Sequence, residues 1–178
     1  MTAYRGRIRP SPTLRQLSTF KKFGAWTVAA TSNVAGVINS AFVVSPSTLN
    51  DWGDIQNDWQ EYRILGFRVE YIPNYENSPP ATTNPAGGLI IGIIDRTSTT
   101  VALSSTQQAL EFEGAQYASV NKKITLESKA QGTNELAWTN ITTSNYWASC
   151  RFYSTPLTAS TSYGNFVVSL LVELRSAL

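Results

Sequence analysis

Alternation of apolar and polar residues with a period of two is the feature that most restricts the fold of this chain. Successive side chains of a strand point to opposite faces, so this pattern is typical of half-buried strands. The clearest case is residues 165–174, where one face holds Phe166, Val168, Leu170, Val172 and Leu174. Seven more segments are predicted as strands: residues 25–31, 34–44, 63–73, 87–95, 120–127, 135–141 and 146–154.

Two of these strands carry further information about their surroundings. Residues 87–95 are almost entirely apolar, which predicts a strand that is covered on both faces. Residues 63–73 place four apolar side chains on one face of the predicted strand, and these are Leu65, Phe67, Val69 and Tyr71. Arg68 and Glu70 lie on the other face, which we therefore expect to be wet.

Two segments have the period of a helix instead. In residues 50–62, apolar side chains recur at Trp52, Ile55, Trp59 and Tyr62, which predicts an amphipathic helix of about three turns. A second short helix is predicted over residues 104–112. Eight strands with long crossovers and a helix between the second and third predict an all-β protein. The architecture expected is a single eight-stranded jelly-roll sandwich with one or two short helices in its loops.

Charge divides the chain into two parts. Residues 1–22 contain six basic side chains and no acidic one, and the basic residues are Arg5, Arg7, Arg9, Arg15, Lys21 and Lys22. Residues 23–178 contain eight basic and twelve acidic side chains. We therefore predict a disordered basic arm over residues 1–22 and a jelly-roll domain over residues 23–178. Such arms commonly bind a polyanion, although a solubilising terminus has the same composition.

The composition excludes most catalytic chemistry. The chain has no histidine and one cysteine, Cys150, which rules out imidazole catalysis, Cys/His zinc sites and an internal disulfide. Cys150 lies in a predicted strand and is interpreted as a core residue. Glu111 and Glu113 could serve as a carboxylate pair, but isolated charges at a helix end are usually solvated. The acidic residues of the first helix, Asp51, Asp54 and Asp58, are interpreted as its wet face rather than a calcium site. No catalytic residue and no enzymatic activity is predicted.

Aromatic and basic residues suggest binding roles for the body of the chain. Aromatic side chains are enriched at subunit contacts, and we expect Trp52 and Trp59, on the first helix, to lie at an interface. Lys122 and Lys123 stand together in a predicted strand and make one side of it basic. No apolar run is long enough for a membrane helix, and no secretory signal is evident, so no membrane partner is expected.

Three passages of the chain have a distinctive order and spacing. They are residues 59–73, WQEYRILGFRVEYIP; residues 85–95, PAGGLIIGIID; and residues 163–174, YGNFVVSLLVEL. In this order they resemble the helix-to-strand-D passage, strand E and the closing strand I of the shell domain of small RNA virus coat proteins, of the tombusvirus and sobemovirus kind. With the basic arm, the resemblance extends over nearly the whole chain. Related coat proteins also occur in small circular single-stranded DNA viruses.

The resemblance implies a coat protein that assembles with copies of itself into a small icosahedral T=1 shell. The shell would form inside the host cell and package a single-stranded genome, with RNA favoured over DNA. The resemblance implies that the basic arm binds this genome and that Lys122 and Lys123 help to bind it. In this family an acidic cluster after strand E often binds calcium between subunits. Here Asp95 is followed by Arg96 and no acid up to Thr100, so Asp95 is only a weak metal candidate and no cofactor is predicted. An alternative interpretation is a jelly-roll module that binds carbohydrate or a receptor as a small oligomer.

Overall fold

The computed structural model describes residues 19–74, 88–96, 101–143 and 146–176. Within these ranges the strands are β1 (Thr19–Thr31), β2 (Ile38–Val44), β3 (Glu61–Pro73), β4 (Leu89–Asp95), β5 (Gln116–Ser119), β6 (Ile124–Lys129), β7 (Thr139–Asn140), β8 (Ala148–Thr155) and β9 (Ser162–Arg175). The helices are α1 (Trp52–Asp58), α2 (Thr106–Leu110) and α3 (Gly132–Glu135), with a 3-10 turn at Pro46–Thr48. None of these helices is long and apolar enough to cross a bilayer.

The strands form two antiparallel sheets, and most consecutive strands belong to different sheets. Sheet A has the order β1-β9-β3-β6, and the two-residue β7 pairs with the start of β3. Sheet B has the order β2-β8-β4-β5. The chain crosses from one sheet to the other at most connections, which is the topology of a double-sheet jelly roll. The prediction of an all-β jelly roll is confirmed, with β7 as a short ninth strand among the described residues.

The main core lies between the two sheets. All five apolar residues of the predicted β9 face are buried, as the alternation indicates. Phe166 of β9 stacks on Phe152 of β8, with ring centroids 4.2 Å apart, and so joins sheet A to sheet B. Each such buried side chain stabilises the fold by about 1.5–3 kcal/mol relative to an exposed one. Cys150 lies in this core, and burial raises the pKa of its thiol, as expected of a structural cysteine.

A second, smaller core lies on the outer face of sheet B. Ile91, Ile93 and Tyr153 pack there against Leu103 and against Ala109 of α2. This cover explains why β4 is apolar on both faces, as the sequence predicts. The outer face of sheet A is different, because side chains along most of its length are exposed.

A β-bulge in β3 corrects the predicted face of that strand. Ile64 pairs with Val172 of β9, whereas Gly66 pairs with Leu171, so Leu65 is an extra residue without a partner in the register. The inward positions are therefore even-numbered before the bulge and odd-numbered after it. Leu65, predicted to share a face with Phe67, is half-exposed instead.

Pairing between strands also shortens the first predicted helix. The helix expected over residues 50–62 ends at Asp58, and Trp59 is already extended. Glu61 pairs with Arg175 of β9 and with Asn140 of β7, so the backbone is recruited into sheet A before the apolar helical pattern ends. Tertiary pairing here overrides a local pattern.

Three other predicted boundaries change. The strand expected over residues 120–127 begins only at Ile124. The edge strand β5 precedes it and is not predicted from the sequence, because the residues of β5 are mostly exposed and show no alternation of burial. The strand expected over residues 135–141 is reduced to β7 after α3. The strand expected from residue 25 begins at Thr19 and pairs with β9 along its length, so Lys21 and Lys22 of the predicted arm lie in β1. Residues 1–18 lie outside the described residues.

The position of Phe166 between the sheets gives a first prediction. Replacing Phe166 with Ala should lower the free energy of unfolding by about 3–5 kcal/mol, because the change leaves a cavity in a packed core. Phe23→Ala is the matched control, since Phe23 is 67 % exposed on the outer face of sheet A. Urea unfolding followed by tryptophan fluorescence measures both values. Equal losses for the two variants would contradict the assigned core.

Candidate nucleic-acid interface

The outer face of sheet A is built from residues that the strand register brings into rows. One row contains Lys21, Glu173 and Arg63; the next contains Phe23, Leu171, Gly66 and Lys129; and the third contains Ala25, Ser169, Arg68 and Glu127. Residues in a row are direct cross-strand neighbours, with side chains on the same side of the sheet. Side chains far apart in the sequence therefore form one surface.

This surface carries most of the basic residues that the structure describes. We call the outer face of sheet A, together with the adjoining β5–β6 loop, the basic face. Its seven basic residues are Lys21, Arg63, Arg68, Lys122, Lys123, Lys129 and Arg175, and its four acidic residues are Glu61, Glu70, Glu127 and Glu173.

The other described residues have the opposite balance. They include three basic residues, Lys22, Arg96 and Arg151, and seven acidic ones, Asp51, Asp54, Asp58, Asp95, Glu111, Glu113 and Glu135. The described part of the domain is thus electrostatically polarised, with a net charge of +3 on the basic face and −4 elsewhere. A polyanion would be attracted to the basic face.

Ion pairs hold several charges of the basic face in place. The Arg63 guanidinium lies 2.6 Å from Glu173 and Arg175 lies 2.5 Å from Glu61, and both guanidinium groups stack on the ring of Trp138. These two arginines are therefore engaged at one end of the sheet. Trp138 was not singled out by the sequence, because its two partners are distant in the chain.

Glu70 is the central acid of the basic face. Its carboxylate lies 2.5 Å from the Lys123 ammonium and 2.7 Å from the Arg68 guanidinium. The hydrogen bond from Lys123, together with the charge of Arg68, lowers the pKa of Glu70 below its usual value of 4.5. By contrast, Lys21 and Lys129 form no ion pair with any described residue. Their charges remain available to an external anion.

The structure separates Lys21 from Lys22, which the sequence groups together. Lys21 lies on the basic face, whereas Lys22 points to the other side of β1 and bonds the carboxylate of Asp51. This hydrogen bond lowers the pKa of Asp51. Lys22 is therefore placed away from the basic face, and its predicted contact with nucleic acid stays a prediction. Arg5, Arg7, Arg9 and Arg15 lie outside the described residues, and their role stays a prediction.

Lys122 and Lys123 are exposed in the turn that leads into β6. Because Lys123 bonds Glu70, this turn adjoins the outer face of sheet A. The structure thus brings Lys123 and Lys21, about one hundred residues apart in the chain, onto the same face. Contact of these lysines with nucleic acid stays a prediction.

The two tryptophans predicted at an interface differ in their surroundings. Trp52 is only 7 % exposed and packs edge-on against Tyr62, with ring centroids 5.2 Å apart. It packs in the core of its own subunit, and its assignment to an interface stays a prediction. Trp59 is half-buried and stacks on the exposed Phe20 at 5.9 Å. Its contact with a neighbouring subunit stays a prediction. Phe23 and Tyr117 are exposed aromatics that the sequence did not single out.

Asp95, the weak metal candidate, forms an ion pair with Arg151, whose side chain is buried. β4 and β8 are paired, and Asp95 of β4 lies close to Arg151 of β8 in their register. The Arg151 guanidinium therefore neutralises the Asp95 carboxylate. Among the residues that can be described, no group of three or more acidic or sulfur-bearing side chains could hold a metal ion. Among the described residues, the Asp95 carboxylate is thus part of an ion pair rather than of a carboxylate cluster.

Comparison with solved structures places this fold among virus shells. The structure of Cocksfoot mottle virus matches with a TM-score of 0.63 at 13 % identity, over 90 % of this chain and 97 % of that one. Tobacco necrosis virus matches with a TM-score of 0.64 at 14 % identity, over 90 % and 97 % of the two chains. A T=1 subviral particle of Penaeus vannamei nodavirus capsid protein matches with a TM-score of 0.60 at 14 % identity, over 90 % and 98 %.

Sequence comparison adds nothing to this result, because no family model and no curated protein matches the chain. At such low identity the structural likeness establishes the fold. The chain therefore has the jelly-roll fold of virus coat proteins, and the resemblance noted in the sequence is confirmed at the level of the fold.

The pairing of Glu70 gives a prediction of pH dependence. A carboxylate whose pKa is lowered by folding stabilises the folded state above its unfolded pKa, and this contribution disappears as the pH falls through the folded pKa. Glu70→Gln should therefore lower the free energy of unfolding most at pH 7, and the difference from wild type should shrink as the pH falls below 4.5. Urea unfolding at a series of pH values measures this.

Glu127→Gln is the control for Glu70. The Glu127 carboxylate is more exposed than that of Glu70, and it lies farther from the Arg68 guanidinium, at 3.4 Å. Its replacement should change stability by less than that of Glu70 at every pH. A Glu70→Gln effect that is constant between pH 7 and pH 3 would contradict the ion-pair assignment.

Proposed function

We propose that this chain is the coat protein of a small icosahedral virus, and that it assembles with copies of itself around a single-stranded genome. The observation that carries the proposal is a jelly-roll fold shared with virus shells together with a basic outer face on sheet A. The protein would thus be a component of the virion, assembled inside the host cell. It would act structurally, not as an enzyme.

The charge distribution supports an orientation of the subunit in such a shell. The basic face is suited to lie towards the packaged polyanion, and the acidic remainder is suited to lie away from it. β1, which begins next to the arm, is the edge strand of sheet A, so the chain enters the domain on the sheet that carries the basic face. Arm and basic face would then act together.

The numbers of charges support a small genome. The arm contributes Arg5, Arg7, Arg9 and Arg15, and the basic face adds a net charge of +3. With about 60 copies in the smallest closed icosahedral shell, these groups supply on the order of 400 positive charges. This corresponds to a few hundred neutralised phosphates, with the remaining phosphates neutralised by small cations. Binding through phosphates carries no sequence information, so we propose sequence-independent packaging, with RNA as the genome.

Deletion of the arm tests the proposal. The full-length chain is expected to form particles on the order of a megadalton that contain nucleic acid, as measured by sedimentation and by the ratio of absorbance at 260 and 280 nm. Removing residues 2–18 should leave the jelly roll folded but lower the nucleic-acid content of the particles by at least half. A full-length protein that remains a monomer or trimer and binds glycans would instead support the jelly-roll binding module.

Lys21 and Lys22 provide a matched pair for testing the basic face. They are adjacent on β1 and carry the same charge, but only Lys21 lies on the basic face, whereas Lys22 bonds Asp51. Lys21→Ala should weaken binding of a single-stranded oligonucleotide and reduce the slope of log affinity against log salt by about 1. Lys22→Ala should change the slope little. The assignment of the basic face fails if the two variants lower the slope equally.

A further inference from the structure

The basic face contains a cavity of about 290 Å³ at the bulge of β3. It lies in the middle row of the sheet register, where Phe23, Leu171, Gly66 and Lys129 are successive neighbours across four strands. Gly66 has no side chain, so the row is interrupted between Leu171 and Lys129. A Cβ at Gly66 would also approach the Ser128 carbonyl oxygen to 2.9 Å. We call this depression the Gly66 cavity.

The lining of the Gly66 cavity is apolar at its base and charged at its rim. Leu65 and Leu171 supply apolar walls, and the Phe23 ring stands beside them with 67 % of its surface exposed. Arg68 and Lys129 lie at the rim with one acid, Glu127, which is 3.4 Å from Arg68. Lys21, two residues from Phe23 on the same face, adds a further positive charge. The site thus combines an exposed aromatic ring with a cationic surround.

This combination suits one class of ligand. Proteins that bind single-stranded nucleic acid without sequence preference combine a positive groove for the backbone with aromatic side chains on which bases stack. The volume is near the lower end of small-molecule sites, which are roughly 300–1,000 Å³, so a single planar base is a suitable occupant. A purely apolar partner would desolvate Lys129, which has no ion pair with any described residue, without compensation.

We propose that the Gly66 cavity receives an unstacked base of single-stranded nucleic acid. The base stacks on Phe23, and Lys21, Arg68 and Lys129 contact the flanking phosphates. This inference rests on the proposed function and adds to it a specific site for bases within a surface that otherwise recognises phosphates. Because every base has an aromatic face, the site is tolerant of sequence.

Comparison of two probes tests the proposal. The probes are a fluorescein-labelled 16-nucleotide oligo(dT) and an abasic oligomer of the same length and charge, with binding to the full-length chain measured by fluorescence anisotropy. Wild type should bind oligo(dT) about fivefold or more tightly than the abasic oligomer. Phe23→Ala should abolish this preference and leave the affinity for the abasic oligomer unchanged.

Two controls separate stacking from charge. Tyr117→Ala removes an aromatic side chain that is about as exposed as Phe23, at 64 %. Tyr117 pairs with Ile91 and therefore lies on the outer face of sheet B, away from the basic face. It should retain the wild-type preference. Lys129→Ala should weaken the binding of both probes, because its role is to contact phosphate. Thermal unfolding of each variant verifies that it is folded.

The outcomes distinguish the proposal from its alternatives. Equal affinity of wild type for both probes would overturn the base site while leaving the proposed function intact. No binding of either probe would overturn the proposed function itself. If Phe23→Ala alters sedimentation of the protein but not its ratio of affinities, the cavity is a contact between copies of the chain, and the proposal is wrong.

Discussion

Sheet A buries one face against sheet B and leaves its other face exposed. This asymmetry determines which side chains of the sheet pack in the core and which are available to a partner. Phe166 and its neighbours on β9 join the two sheets, so the inner face is devoted to packing. Sheet B is covered on its outer side by the segment that contains α2, whereas the outer face of sheet A carries charged rows. Because a β-strand has only two faces, fixing the core on one face assigns the other to solvent or to a partner.

Charge on the open face is organised by strand register. Arg63, Arg68 and Glu70 are close together in sequence, but their partners come from β9, β6 and the turn before β6. Individual surface ion pairs of this kind contribute little to stability, about 0–1 kcal/mol each. Their main consequence is to neutralise some cations and leave others, such as Lys21 and Lys129, unpaired among the described residues. The positive field that the face presents therefore depends on which of its cations are paired.

The bulge at Leu65 has consequences for both packing and surface shape. It reverses the inward parity of β3, so that Ile64 and Phe67 both face the core although they are three residues apart. It also places Gly66 in the middle of a cross-strand row, where the missing side chain opens the cavity beside Phe23. A local irregularity of one residue thus produces a depression on a sheet that is otherwise regular.

The sequence by itself determined the all-β class, the buried face of β9 and the two-sided burial of β4, because period-two hydrophobic patterns report burial directly. The resemblance to virus coat proteins also came from sequence, through three passages that the structure places on β3, β4 and β9. Only the tertiary structure decided the end of α1, the bulge at Leu65, the burial of Trp52 and the separation of Lys21 from Lys22. These features depend on which distant strand pairs with which residue, and that pairing is a property of the assembled sheets that no local pattern encodes.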